Sequence, residues 1–501
     1  MGAPEDRGDQ ARTAIMAHQR ISMSDTPSMF PCKTRSERDT LGEIELPSDA
    51  YYSAQTARAI ANFQISGVPV SDYPLFVRAL VLTKKAAAFA NLRLGDLSPA
   101  KALAIEKACD DIANGQLLDQ FPVDVFQGGA GTSTNMNVNE VIANRALEHL
   151  GLPRGRFDVI HPNNDVNLAQ STNDVYPTAI RLASLFSYRE LSAAIERLAS
   201  AFEAKALEFR DIVKLGRTQL QDAVPMTLGQ EFMAFAVTLR EDVLRLDEAA
   251  HLLKEINLGG TAIGTGITAD PAYAAIATEE LSRMTGIELR LASDLVEACW
   301  DTGAFVHFSG TLKRTAVKLS KISNDLRLLS SGPRGGFGEI NLPAMQPGSS
   351  IMPGKVNPVI PEVVNQVAFQ VIGADLVVTL AAEAGQLQLN AMEPVIVFNL
   401  LQSMKLLTNA SKTLTDKCVV GITANIERCR QNLEAGTALA TALVSLLGYE
   451  RSAQIAKEVL ETGRTISEVL DATQALPASV ENDLLNPLHL TKPSRLRTPD
   501  C

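Results

Sequence analysis

From Ala179 onward, apolar residues recur at mixed three- and four-residue steps: Ile180, Leu182, Leu185, Phe186, Leu191, Ile195, Leu198 and Phe202. That period puts them on one face of a helix. A second run holds Phe232, Phe235, Leu239, Val243 and Leu246, and a third holds Val306, Leu312, Leu319, Ile322, Leu326 and Leu329. Two more runs are predicted at 361–384 and 392–413, with Pro361 suited to the first turn of its helix. Five helices of roughly 20 to 30 residues would be about 30 to 45 Å long, so the pattern predicts a bundle. Val367, Phe369, Val371, Ile372, Leu376, Val377, Val378 and Leu380 leave little polar face, which predicts a helix buried nearly all round. Strand signals are weak. The segments 156–161 and 336–341 could pair as small hairpins, but no alternation of strand and helix suggests a parallel sheet. The run GGTAIGTG, Gly259 to Gly266, lacks the Lys and Ser/Thr ending of a phosphate loop, and its glycines do not keep dinucleotide-binding spacing, so a connection between helices is expected there.

With 501 residues the chain exceeds one ordinary globular core. Apolar residues make up 46% and charged residues 21%, which is enough for a substantial core. A net charge of −11 disfavours a general nucleic-acid or anionic-membrane surface, so any anionic ligand must be held by local donors. The six cysteines, Cys32, Cys109, Cys299, Cys418, Cys429 and Cys501, are widely spaced. They form neither a disulfide framework nor a zinc pattern, and a reducing, cytoplasmic compartment fits them. The six histidines show no paired-ligand spacing, and no metal is expected. No apolar run reaches the roughly 18 residues that cross a bilayer, and no membrane partner is expected. Residues 1–35 read as a flexible extension. Its early Glu5, Asp6 and Asp9 make a mitochondrial address the weaker alternative.

The stretch with most chemical content is GSSIMPGKVNP, Gly348 to Pro358. Its glycines permit torsions closed to other residues, its prolines stiffen the points between them, and Ser349, Ser350, Lys355 and Asn357 supply hydroxyl, ammonium and amide groups. Such a loop can close over a small anion. A Ser-Ser pair among glycines is, by itself, ordinary turn chemistry. Ser171 to Asp174 equally suits a helix N-cap, and a cap would point backbone N–H groups at a bound carboxylate.

GSSIMPxKxNP resembles the signature of the aspartase/fumarase superfamily, whose members eliminate an amine or hydroxyl from a succinyl-type substrate to leave fumarate. Further blocks resemble it in the same order: ERDTLGEIELPSDAYYSAQT from Glu37, GGAGTSTNMNVNEVIANRA from Gly128, QSTNDVYPTA from Gln170 and GRTQLQDAVPMTLGQEF from Gly216. The similarity runs from about residue 37 to the C-terminus. It implies an all-α subunit of three domains: an N-terminal helical domain over 36–169, a central five-helix bundle over 170–426 and a small C-terminal helical domain over 427–501. It also implies a homotetramer with a shared helical core and active sites assembled from different subunits, with no redox or nucleotide cofactor. Divalent-ion activation is allowed by the resemblance but has no support in the residues.

Elimination requires loss of a proton beside a carboxylate, and the carbanion charge must pass onto that carboxylate as a doubly charged aci form. Preorganised neutral donors stabilise such charge, each worth about 3 to 4 kcal/mol. The resemblance assigns Thr132, Ser171, Thr172 and Ser350 to this carboxylate and Lys355 with Asn357 to the other. It makes Ser349 the base. A serine alkoxide needs nearby positive charge and amide donors, which Lys355 and the Gly354 backbone could provide. The Asn173 oxygen could accept from a substrate ammonium.

Many superfamily members have histidine where this chain has Gln219, next to Thr218. Glutamine cannot shuttle a proton at neutral pH, and ammonia can leave without receiving one, whereas hydroxide cannot. Glu362 would then hold Gln219 or carry charge near the site, unless it is simply a first-turn helix carboxylate. AGTSTNMN, INLGGTAIGTGI and GQLQLNAMEPV are also similar to the aspartate ammonia-lyase branch. The expected reaction is L-aspartate to fumarate and ammonia. The alternatives are a fumarase, a lyase of an N-substituted aspartate, or a recruited crystallin-like structural protein. HPNNDVN departs from the usual HPND, so Asn164 puts in doubt the second dicarboxylate site of fumarases, and His161 reads as structural.

Overall fold

A computed structural model describes residues 33–473 and 486–493. Residues 1–32 of the expected extension lie outside the described residues, whereas Thr34 and Arg35 already belong to a strand. Strands β1 (Thr34–Asp39) and β2 (Gly42–Pro47) form an antiparallel hairpin that precedes helices α1 (Ala54–Asn62), α2 (Pro74–Leu94), α3 (Pro99–Ala113) and α4 (Thr132–His149). Helix α5 (Thr172–Glu208) follows, then the hairpin β3 (Val213–Thr218) and β4 (Gln221–Thr227) and helix α6 (Leu228–Leu252). Next come β5 (Glu255–Ile256), α7 (Tyr273–Thr285), β6 (Arg290–Leu291), α8 (Gly303–Leu329), β7 (Ile340–Asn341), α9 (Val359–Glu383) and α10 (Glu393–Lys417). Beyond β8 (Thr423–Ala424) lie α11 (Ile426–Glu434), α12 (Ala440–Thr462) and α13 (Ile466–Thr473). The fold is all-α, with four two-stranded pairings among the described residues.

The five long helices match the five apolar runs, but α5 is longer than its pattern suggested. Its start is fixed by a capping box in which the Ser171 hydroxyl and the Asp174 carboxylate satisfy orphan backbone N–H groups. At 37 residues it spans about 55 Å. Helix α6 starts with a second capping box, from Thr227 and Gln230. The bundle runs alternately up and down. Arg181 near the start of α5 donates to the Leu252 carbonyl at the end of α6 and lies over the ring of Phe305 at the start of α8. Ser309 at the start of α8 bonds Asp375 in the later half of α9, while Arg327 at its end reaches Asn365. Arg197, in the later half of α5, pairs with Asp416 at the end of α10. One end of the bundle therefore holds the start of α5; the other holds β3–β4 and the connection from α8 to α9. Phe202, Phe209, Phe232 and Phe235 pack between α5 and α6, edge-on except for the tilted pair Phe232 and Phe235.

Three sequence expectations are corrected. Residues 156–161 form turns, and Ile340–Asn341 pairs with distant Thr423–Ala424, so neither segment makes a local hairpin. The β3–β4 hairpin was not anticipated, because its strands mix charged and apolar residues without a clean alternation. Helix α9 is long and apolar enough by composition to cross a membrane, with mean hydropathy 1.6 over its best 18-residue window, contrary to the expectation that no such run exists. One face packs on α8 and α10 through Val364, Ala368, Val371 and Val378, with Asp375 bonded to Ser309 and Lys313, as in a bundle helix. Its other side is open in the single chain, with Phe369, Leu376 and Leu380 63%, 60% and 58% exposed, which leaves the expected all-round burial to a partner chain. Leu439, Leu443, Ile455, Val459, Val469 and Leu470 form a separate apolar cluster from α12 and α13.

Candidate active site

The first group of site residues sits at the helix starts of α4 and α5. Thr132 opens α4 and donates its hydroxyl to the Gly129 carbonyl at 2.7 Å. Ser171 is the N-cap of α5, and its oxygen accepts the Asn173 amide at 3.2 Å. The Thr172 hydroxyl oxygen accepts from Asn135 Nδ2 at 3.0 Å, which leaves its proton to donate. Asn173 Nδ2 donates to the Ala262 carbonyl at 2.7 Å, so the side-chain oxygen remains as the acceptor. The GGTAIGTG run is a loop whose Gly259 and Thr261 amides both donate to Asp174 at 3.0 Å. Burial pushes the Asp174 carboxyl up to about 6 against those amides and the nearby Lys84. Lys84, fully buried, is pushed down to about 7 by desolvation and donates to Asn167 Oδ1 at 2.7 Å. Asn135 and Asn139 donate to the same oxygen, so Lys84 and two asparagines pin the segment that leads into Ser171. Sequence reasoning missed Asn135, whose signal was its place in the Thr132 block, three residues on and one turn along α4. His161 Nδ1 accepts the Asn163 and Asn164 amides, capping the turn Pro162–Val166.

The second group is the β3–β4 hairpin. Thr218 and Gln219 are exposed at its tip, and both turn residues, Gln219 (φ 54°) and Leu220 (φ 61°), take left-handed torsions without being glycine. Two-residue turns of this kind favour Asn-Gly, so the torsions store strain of the kind found at functional sites.

The third group is the loop from 348 to 358. It is pinched at its base: Gly348 N–H donates to the Lys355 carbonyl at 2.7 Å and Asn357 Nδ2 to the Gly348 carbonyl at 2.8 Å. A Cβ at Gly348 would lie 2.6 Å from that Lys355 oxygen, so only glycine fits. Gly354 takes φ +80°. The Ser349 oxygen accepts two backbone amides, Ile351 at 3.2 Å and Met352 at 3.0 Å. Two N–H donors on one hydroxyl oxygen favour its ionised form. Gly354 and Lys355 are expected in this role only when the loop closes. The Lys355 side chain is exposed and has no hydrogen bond or ion pair among the described residues. Ser350 is exposed too, while Glu362 lies in the first turn of α9 with no hydrogen bond to Gln219 among the described residues. Asn357 spends one of its two amide protons on the loop itself and keeps the other.

The second and third groups share one end of the bundle, and the first lies at the other end of α5, about 55 Å away. A single chain does not bring all three together.

A family model described as Lyase matches residues 42–373, and one described as Fumarase C C-terminus matches 439–492. The chain belongs to the aspartase/fumarase superfamily. The aspartate ammonia-lyase of Pseudomonas aeruginosa is 58% identical over 461 residues, covering 92% of this chain and 97% of the relative. Among solved structures, a fumarate lyase:delta crystallin from Brucella melitensis bound to cobalt aligns at TM-score 0.90 and 62% identity, covering 92% and 100% of the two chains. The class II fumarase of Schistosoma mansoni aligns at TM-score 0.87 and 34% identity, covering 92% and 99%. The superfamily fold accounts for the five-helix bundle.

Proposed function

We propose that the protein is a carbon-nitrogen lyase that reversibly eliminates ammonia from L-aspartate to give fumarate. Ser349 removes the Cβ proton, and the observation that carries this is the pair of amides, from Ile351 and Met352, on its oxygen. Those amides stabilise an alkoxide, and Lys355 with the Gly354 backbone would add to them when the loop closes. Ser171, Thr172 and Ser350 receive the charge that builds on the β-carboxylate, as does Thr132 once its hydroxyl turns from the Gly129 carbonyl, Lys355 and Asn357 hold the α-carboxylate, and Asn173 and Gln219, with Thr218 beside it, face the amine. Glu362 plays a supporting part. Gln219 favours ammonia over hydroxide as leaving group, since it brings no titratable proton. The first relatives, named aspartate ammonia-lyases, support this substrate.

The three groups meet when copies of the chain associate as a homotetramer. The separation along α5 and the exposed apolar face of α9 support a shared site. The division into domains at about 36–169, 170–426 and 427–501 is supported by the separate apolar cluster of α12 and α13, and the cytoplasm is the proposed compartment. The test is a substrate panel on purified protein followed by fumarate absorbance. Fumarate formed from L-aspartate and not from malate is expected. Turnover of malate alone would make the chain a fumarase, turnover only of an N-substituted aspartate would enlarge the amine pocket, and no turnover at all would leave a structural protein.

A further inference from the structure

One carboxylate ties the amine-facing hairpin to the segment that leads into the serine loop. Glu339 has a side chain with no solvent exposure, and it lies ten residues before Ser349. Its Oε1 accepts from Arg217 at 2.8 Å and from Asn432 of α11 at 3.1 Å, and its Oε2 lies 3.0 Å from Lys214 Nζ. Lys214 in turn contacts Glu231, in the first turn of α6, at 2.6 Å. Arg217 stacks its guanidinium over the ring of Phe337 at 4.1 Å. The backbone is held as well: Glu339 N–H donates to Leu329 at the end of α8, its carbonyl accepts from Asn425, and Arg428 donates to the Gly336 and Phe337 carbonyls.

Lys214 and Arg217 both belong to β3, and Arg217 lies two residues from Gln219. The hairpin tip is strained and exposed, so nothing in the turn itself holds it in place. Its aim is set at its base, where the charges are buried. The same carboxylate anchors the chain running from 337 towards the loop base at Gly348. The Glu339 carboxylate is held by two cations and an amide, whereas loss of its charge leaves Arg217 without its carboxylate partner and Lys214 with Glu231 alone.

We infer that Glu339 is a positioning residue that couples the Gln219 hairpin to the Ser349 loop, so that the two move as a unit during turnover. This rests on the proposed reading of Gln219 and Ser349. It does not touch the substrate.

The test is a set of double-mutant cycles on the intact oligomer, with kcat and KM separated. Glu339→Gln is expected to lower kcat/KM about tenfold, and Gln219→Ala added to it is expected to cost less than twofold more, because the hairpin is already misplaced. Backbone amide exchange is expected to rise in both 213–227 and 345–358. If Glu339→Gln does not give a folded oligomer, Arg217→Lys, which keeps the charge but loses the fork and the Phe337 stack, takes its place in the same cycle. Full multiplication with Gln219→Ala would overturn the coupling, as would a lowered thermal midpoint with kcat/KM unchanged. A silent Gln219→Ala in the otherwise native protein would instead bring down the reading of the site, and this inference with it.

Discussion

Gly348→Ala tests whether the geometry of the serine loop, and not only its residues, sets the rate. The added Cβ would stand 2.6 Å from the Lys355 carbonyl oxygen and 2.9 Å from the Asn357 nitrogen. Ordinary contact begins at 3.4 Å, so the Lys355 strand of the loop must retreat by 3.4 − 2.6, about 0.8 Å. That retreat breaks or lengthens the Gly348 to Lys355 bond and displaces Asn357, whose amide closes the loop. A misplacement near 1 Å costs on the order of a hundredfold in rate, about 2.7 kcal/mol of transition-state stabilisation. Ser349 and every other proposed group remain present. The loop is exposed and contributes little to the core, so the thermal midpoint should hardly move. Steady-state fumarate release from L-aspartate, measured beside a thermal melt, reads both quantities. A Gly348→Ala enzyme with kcat within twofold of the native protein would refute the reasoning.

Three further outcomes are expected. Phe369→Asp combined with Leu376→Asp on the exposed face of α9 should give smaller particles on sedimentation and abolish turnover together; an active monomer would contradict the shared site. Lys84→Met should remove a pH dependence of stability. In the folded protein Lys84 titrates near 7 and in the unfolded chain near 10.5, so between those values the unfolded state binds the extra proton and stability rises with pH by up to about 1.4 kcal/mol per unit. Urea unfolding at pH 7 and pH 9 should show that rise in the native protein and a smaller one in the variant. Phe202→Ala, which removes a fully buried ring packed on Phe232 and Phe235, should cost about 3 to 5 kcal/mol in the same experiment, with a cost below 1 kcal/mol counting against the packing described.

The long helices were legible because burial on one face imposes a period that survives any detail of packing: Leu198, Phe202, Leu319 and Leu326 are all buried as their spacing required. The β3–β4 hairpin was not, because its strands lack a clean alternation and β3 is anchored through Lys214 and Arg217 to a carboxylate 122 residues beyond Arg217, which no local pattern contains. The candidate residues were found as short blocks, since each block is a local turn or cap with its own residue demands. What the blocks could not say is which atoms serve each role. Ser349 takes its amides from Ile351 and Met352, apolar residues whose side chains gave no hint that their backbones mattered. The exposed side of α9 was legible only as an apolar face: apolar composition states that a face is to be covered, not by which chain.

The most direct test of the central claim is to mix two disabled proteins. Ser349→Ala and Thr172→Ala, each nearly inactive alone, are unfolded and refolded together so that their subunits mix at random. If one chain's serine loop meets another chain's α5 start, about one site in four receives both intact groups, and fumarate formation should return to about a quarter of the native rate. Activity no higher than that of the separate parents, in oligomers shown to be mixed, would contradict the account.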